Sequence, residues 1–319
     1  MRRIVILAAK IMIKGALLYF ALRETNFAAL SGRINLASAG WLSVSVAIAV
    51  LQVGVSAVRW HLISGDCGAS LSVGRAMRYN IIGSFFNQTL PSSMGGDAVR
   101  MWLLAGDGAG WRSATYSVFL DRAIGLMALA VFILVSLPWS LNLIDNAEGR
   151  LGLAVLDLVA VVASLVFLLV HRRPFEFLTR IWVVRHLRAC SLIVGRVLFN
   201  RRRGPVIAAI SVLIHVLAVV IAWCAARAIN APADFVELLL LIPPVTLIAV
   251  IPISIAGWGL REASMGLAFS FAGLGASEGV NVSLLFGAVY FTVGVAGGLV
   301  WALQADRAAK VHAPAGVPD

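Results

Sequence analysis

Six charged residues lie where charge is costly: Asp97, Arg100, Asp121, Arg122, Arg261 and Glu262 each abut or enter an apolar stretch. A charge at the centre of a bilayer costs ~2.5–3.5 kcal/mol on insertion scales, so such residues are functional candidates when they face an interior. An arginine offers a planar, permanently charged fork suited to phosphate or carboxylate, which fits a phospholipid or other lipid-phosphate headgroup. Arg100 follows a break in an apolar segment, Pro91 to Asp97, and Arg261 closes another that runs from Pro252 to Glu262. A helix that restarts after a break presents free backbone N–H groups, which make an anion site. Gly95, Gly96, Gly257 and Gly259 would let that backbone come close to a ligand. The plainer alternative is that Arg100 with Asp97, and Arg261 with Glu262, only neutralise each other at the membrane surface. Asp121 and Arg122 are adjacent and point about 100° apart on a helix, so they need not serve one partner.

The elements that must position these residues follow from composition. The chain has 319 residues, 61% hydrophobic and 13% charged, with a mean hydropathy of +0.94. Soluble domains carry about 25% charge, so this is an all-α polytopic membrane protein, the apolar runs being too long for barrel strands. The net charge of +11 is explained by positive-inside loop bias and calls for no nucleic acid. Charge-free runs of span length are Ile34 to Val58, Ala123 to Ile144, Val206 to Ala226, Leu238 to Leu260 and Gly279 to Ala305. Ile4 to Leu22 and Leu151 to Val170 span with a few charges, the first read as a retained span and not a cleaved signal.

The two breaks are related. Aligned on Pro91 and Pro252, the segments share Ser93 with Ser254, Gly96 with Gly257 and Arg100 with Arg261, and pair Gly95 with Ala256. Two spans precede and one follows each break, which predicts an internal duplication with halves of about 1–145 and 151–319 in a single membrane domain. Three crossings per half invert the second half, so the expected architecture is about six full spans plus two re-entrant helical hairpins as inverted repeats. Paired broken helices of this kind point to a transport site near the midplane. Ordinary spans kinked by proline and glycine are the alternative, and Leu238 to Leu260 is long enough to cross.

Loop charge sets the direction. His171 to Pro205 holds nine arginines against Glu176 alone, and the loop from Arg59 to Arg78 is basic too. Both termini are therefore expected in the cytoplasm. Phe177, Leu178, Ile181, Trp182, Leu187, Leu192 and Ile193, mixed with Arg180, Arg185, Arg188 and Arg196, permit an interfacial helix, but a topology-setting loop is the preferred reading. His215 and Asp157 read as packed polar residues. The isolated Cys67, Cys190 and Cys224 match no metal or disulfide spacing. No nucleotide loop or nucleophile motif occurs, so neither an enzyme nor a cofactor is expected.

Phe85-Phe86-Asn87-Gln88-Thr89-Leu90-Pro91 leading to Gly95-Gly96-Asp97-Ala98-Val99-Arg100 resembles the signature of the lysylphosphatidylglycerol synthase transmembrane, or flippase-like, family. Arg59-Trp60, Leu120-Asp121-Arg122, and Pro252-Ile253-Ser254 through Gly259-Leu260-Arg261-Glu262 fall in the family order. The resemblance covers nearly the whole chain. It implies a flippase-like membrane domain of the bacterial inner membrane that handles a phosphate-bearing lipid, of phospholipid or polyprenyl-phosphate type, aminoacylated or glycosylated in some relatives. The chain stops at Asp319 soon after its last span, so the likeness is to the membrane half, without the soluble synthase domain. Asn87, Pro91, Ser93, Gly95, Gly96, Asp97, Arg100, Asp121, Arg122, Pro252, Ser254, Gly257, Gly259, Arg261 and Glu262 are the candidate substrate-binding residues. Two rival roles remain: a non-transporting membrane partner of a lipid-modifying or glycosyl-transferring enzyme, and an ion-coupled small-solute transporter.

Overall fold

The computed structural model describes residues 32–90, 94–172, 181–250 and 259–311, with side chains described as far as residue 303. Ten α-helices and no strand occur among the described residues. They are α1 (Leu36–Ser64), α2 (Val73–Thr89), α3 (Gly95–Leu104), α4 (Trp111–Leu143) and α5 (Ala147–Leu169), then α6 (Trp182–Leu198), α7 (Arg203–Ala228), α8 (Phe235–Ala249), α9 (Leu260–Phe271) and α10 (Ala276–Val311). The span expected at Ile4 to Leu22 lies outside the described residues.

Helices α1, α4, α5, α7 and α10 are long and apolar enough to cross a ~30 Å hydrocarbon core. Their outer surfaces are apolar: Val135, Leu151, Val159 and Leu303 are all more than half exposed. Such a surface is stable against lipid and not against water. This is a multi-pass membrane protein.

Local chemistry explains several helix limits. Asn35 and Ser38 form a reciprocal capping box before α1, and Asp234 with Glu237 does the same before α8. Leu90 ends α2 in an extended conformation, as expected for a residue whose successor is the proline Pro91. Three sequence expectations need correction, and one alternative left open by the sequence is decided. Residues from Arg59 onward, read as loop, continue α1 to Ser64, and α2 begins at Val73, well before Tyr79. Helix α4 starts at Trp111, so Asp121 and Arg122 lie inside a span. Leu238 to Leu260 does not form one long helix, since α8 ends at Ala249 after 15 residues. The loop from His171 to Pro205 contains the 17-residue α6. In the first two, polar residues were taken as the end of a helix whose backbone continues regardless of them; α6 forms where arginines were read as loop, and α8 ends within an apolar run.

Helices α1 and α7 pack antiparallel, tied by Ser38 Oγ to the Ala228 carbonyl (2.6 Å), Ser45 Oγ to Ile221 (3.1 Å) and Gln52 Nε2 to Ile214 (2.7 Å). Small residues at the contact, among them Ala49, Ala222, Ala225 and Ala226, let the backbones approach. One end of the bundle gathers Arg33, Glu278, Asp145, Glu148, Asp234 and Glu237; the other gathers Arg75, Arg112, Arg172 and Arg201 to Arg203.

Helix α10 is the strut between two hairpins. Arms α2 and α3 pack on each other, and α2 lies antiparallel on the C-terminal part of α10. There Gly294, Gly297 and Gly298 face Gln88, the Ile81 carbonyl and the Phe85 ring. Arms α8 and α9 form the second pair. Arg261 at the start of α9 meets Ser283 of α10, and Met265 meets Gly279. Gly279 and Gly297 are about 27 Å apart at 1.5 Å per residue. The hairpins thus approach α10 from opposite ends, the end of α2 and the start of α9 both lying toward its middle.

Candidate functional site

A cavity of about 460 Å³ occupies that middle zone. Its polar wall comes from Gln52, Ser56 and Arg59 of α1, Asn80, Asn87 and Gln88 of α2, Asp97 and Arg100 of α3, and Asp121 and Arg122 of α4. His215 of α7, Thr246 of α8, Arg261 of α9 and Tyr290 of α10 complete it, with Leu126, Leu129, Ile242, Val245 and Met265 as apolar lining. Arg100 and Arg261 therefore face one chamber.

Five charged groups form a continuous chain in its wall. Arg59 Nε donates to Asp121 Oδ1 (2.8 Å), and Arg100 donates to Asp121 Oδ2 and to Asp97 Oδ1 (3.0 Å each). Arg122 Nε donates to Asp97 Oδ2 (2.7 Å). Asp121 is 1% exposed and Asp97 3%, so neither carboxylate could remain charged there without these partners. Three arginines against two aspartates leave one positive charge in excess. The excess has an outlet: the Arg122 side chain is 46% exposed, whereas those of Arg59 and Arg100 are 7% exposed. The Arg100 guanidinium also stacks 4.0 Å above the Trp60 ring. Its buried Nε has no hydrogen-bond partner among the described residues.

The second hairpin is built differently. Arg261 Nη2 donates to Glu262 Oε1 (2.6 Å), and its Nε donates to Ser283 Oγ (3.0 Å) and to the same carboxylate oxygen (3.1 Å). The other Glu262 oxygen accepts from the Gly259 N–H at 2.6 Å, capping α9. Gly259 holds φ +86°, a conformation that favours glycine. Of the candidate residues, Asn87, Asp97, Arg100, Asp121, Arg122 and Arg261 line the chamber. Pro91, Ser93, Pro252, Ser254 and Gly257 lie outside the described residues.

Gly95 and Gly96 do something other than admit a ligand. A Cβ on Gly96 would overlap the Gly83 carbonyl oxygen and come within 2.6 Å of Asn87 Oδ1, and one on Gly95 would lie 2.7 Å from the Leu90 Cβ. Their bare backbone lets α3 seat against α2, where Gly96 N–H donates to Asn87 Oδ1 (2.8 Å). Among the described residues His215 pairs with no carboxylate; its Nε2 lies 3.0 Å from the Gly125 carbonyl on the chamber wall. Asp157 is buried, as read from sequence, with one carboxylate oxygen lacking a partner among the described residues. Sequence reasoning missed Arg59, taken as loop charge. The usable signal was its seven-residue spacing from Gln52, which places two polar groups on one face of an apolar helix.

The family model described as the lysylphosphatidylglycerol synthase TM region matches residues 5–298. The chain belongs to that family. In this lysylphosphatidylglycerol synthase transmembrane-region protein, both hairpin breaks, the five-charge chain and the chamber fall inside the matched region. The family connects the fold to lipid handling. No curated protein and no solved structure matches the chain.

Proposed function

We propose that the protein is a lipid flippase of the bacterial inner membrane, moving a phosphate-bearing lipid between leaflets without covalent chemistry. The observation that carries this reading is the excess positive charge held inside a membrane-embedded chamber, with Arg122 partly free to meet an anion. Arg122 and the unpartnered Arg100 Nε supply charge-assisted donors for a phosphate oxygen. The apolar lining beside them suits the glycerol or isoprenoid portion next to it. Arg261 completes the far wall, its charge matched by Glu262.

The topology that goes with this function has six spans, counting one at 4–22, and two re-entrant hairpins entering from opposite faces as inverted repeats. Support comes from the way the hairpins meet opposite ends of α10. The arginine-rich end of the bundle supports cytoplasmic termini. Cysteines placed singly at Ser92 and Ala256, with Cys67, Cys190 and Cys224 removed, test the topology. Thiol reagents should reach the first from the cytoplasm and the second from outside; labelling of both from one side would overturn the inverted arrangement.

Function is tested by purified protein in liposomes carrying a panel of labelled phospholipids and polyprenyl phosphates. Equilibration of one or more of them across the bilayer, with no other protein present, is the expected result. Absence of movement together with co-purification of a transferase would instead assign the protein as a membrane partner of a lipid-modifying enzyme. Movement of water-soluble solutes alone would assign an ion-coupled transporter.

A further inference from the structure

Helix α6 crosses no membrane, yet it carries two distinct faces. Cys190, Ser191, Val194 and Val197 are buried. Cys190, Val194 and Val197 pack into a cluster with Ile63 of α1, Tyr116 and Leu120 of α4 and Ile207 of α7, which seats α6 across the arginine-rich end of the bundle. The opposite face carries Arg185, Leu192, Arg196 and Phe199, all exposed, Phe199 by 73%. At 100° per residue these four fall within a sector of about 60°. An exposed helix face that alternates guanidinium groups with large apolar side chains fits neither bulk water nor hydrocarbon. It fits the boundary between them, where apolar groups enter the acyl region and arginines stay at headgroup level.

Among the described residues the charge on this face has no ion-pair partner. Neither Arg185 nor Arg196 has an ion pair among the described residues, and neither do Arg172, Arg201 or Arg202 beside them. Among the described residues Arg188 donates to the His171 carbonyl, at 3.5 Å. The acid recorded near this patch, Asp66, lies 3.8 Å from Arg203. A cluster meant only to orient the chain during insertion needs no helix, no buried anchoring face and no exposed Leu192 and Phe199 among its arginines.

We propose that the outer face of α6 is a docking surface for anionic lipid in the adjoining leaflet, clamping that end of the bundle to the headgroup plane. The surface is separate from the chamber and stands whether or not the chamber carries lipid. Each arginine near an anionic surface strengthens its attachment about five-fold, an effect that salt screens within a Debye length of ~10 Å.

The test uses the full chain with Leu192→Cys carrying an environment-sensitive NBD fluorophore. The three natural cysteines are buried, and the unsubstituted protein serves as the labelling control. In phosphatidylcholine vesicles containing phosphatidylglycerol the emission should shift to the blue and resist iodide quenching. In phosphatidylcholine alone, or in high salt, most of that protection should disappear. Arg185→Gln with Arg196→Gln should raise the phosphatidylglycerol fraction needed by an order of magnitude or more. Arg185→Lys with Arg196→Lys should leave it nearly unchanged, which separates lost charge from lost folding. A fluorophore that stays water-exposed in both vesicles would overturn the proposal and leave the face for an acidic protein. Equal protection in both vesicles, unaffected by glutamine, would overturn it in favour of an ordinary apolar contact.

Discussion

Arg100 and Arg261 hold the same place in two related hairpins, nine residues beyond a proline, but their surroundings differ. Arg100 shares its guanidinium between Asp97 and Asp121, which also bind Arg122 and Arg59. Arg261 is matched to its own neighbour Glu262 and to Ser283. The residues that make the difference come from the following span in each half. Asp121 lies 21 residues after Arg100, and Ser283 lies 22 after Arg261. One hairpin has become part of a charged network with a surplus; the other has become a closed, neutral lock on α10. The proline and the arginine are common to both segments, while the electrostatic role follows from whichever side chain the next helix presents.

The strongest way to break the comparison is to convert one half into the other. Asp121→Ser gives the first hairpin the hydroxyl that the second one uses. It leaves Arg59 and Arg100 buried without their shared carboxylate, and breaking a buried pair in this way costs about 3–5 kcal/mol. Unfolding of the purified protein in detergent should show that loss, and a change below about 1 kcal/mol would mean the network does not hold the fold.

Next in size is the functional contrast. Arg100→Lys keeps the charge but loses the fork, and forfeiting a charge-assisted bond of about 1.5–3 kcal/mol should slow lipid movement roughly 10- to 100-fold. Arg261→Lys should slow it less than about three-fold at equal protein abundance. A double-mutant cycle of Asp97→Ala with Arg100→Ala decides whether Arg100 acts only through its carboxylate. Full recovery of lipid movement in the double variant would remove Arg100 from the proposed site.

Packing on α10 offers a comparison in which the hairpins should behave alike. Gly297→Ala drives a methyl group into the Ile81 carbonyl, and Gly279→Ala places one 2.5 Å from the Met265 carbonyl. Backbone cannot swing aside as a side chain can, so each should cost about 1–3 kcal/mol in the same unfolding measurement. Loss at only one glycine would show that α10 braces a single hairpin. The smallest effect belongs to Ser283→Ala, which removes the hydroxyl that accepts from Arg261 and donates to Glu262 while leaving the two charges paired. It should cost about 1 kcal/mol in stability and leave lipid movement unchanged.

Much of this protein was legible in its sequence because the information is local. Apolar runs set the membrane class, and the steric demand of Pro91 on Leu90 set the end of α2. The proline-to-arginine register exposed the likeness of the two segments, and the Pro91-to-Arg100 signature, with the related segments around it, carried the family resemblance. Burial of charge in an apolar context was also enough to single out Asp97, Arg100, Asp121 and Arg261. Tertiary structure alone decided who partners whom. Arg59 and Asp121 are 62 residues apart and meet because α1 packs beside α4, a fact no window of sequence contains. The same holds for Gly96, whose missing side chain serves the approach of α2, and for α6, whose helical form rests on a buried face supplied by α1, α4 and α7. Hydrophobicity and backbone sterics act between neighbours in the chain; charge pairing and close packing act between neighbours in space.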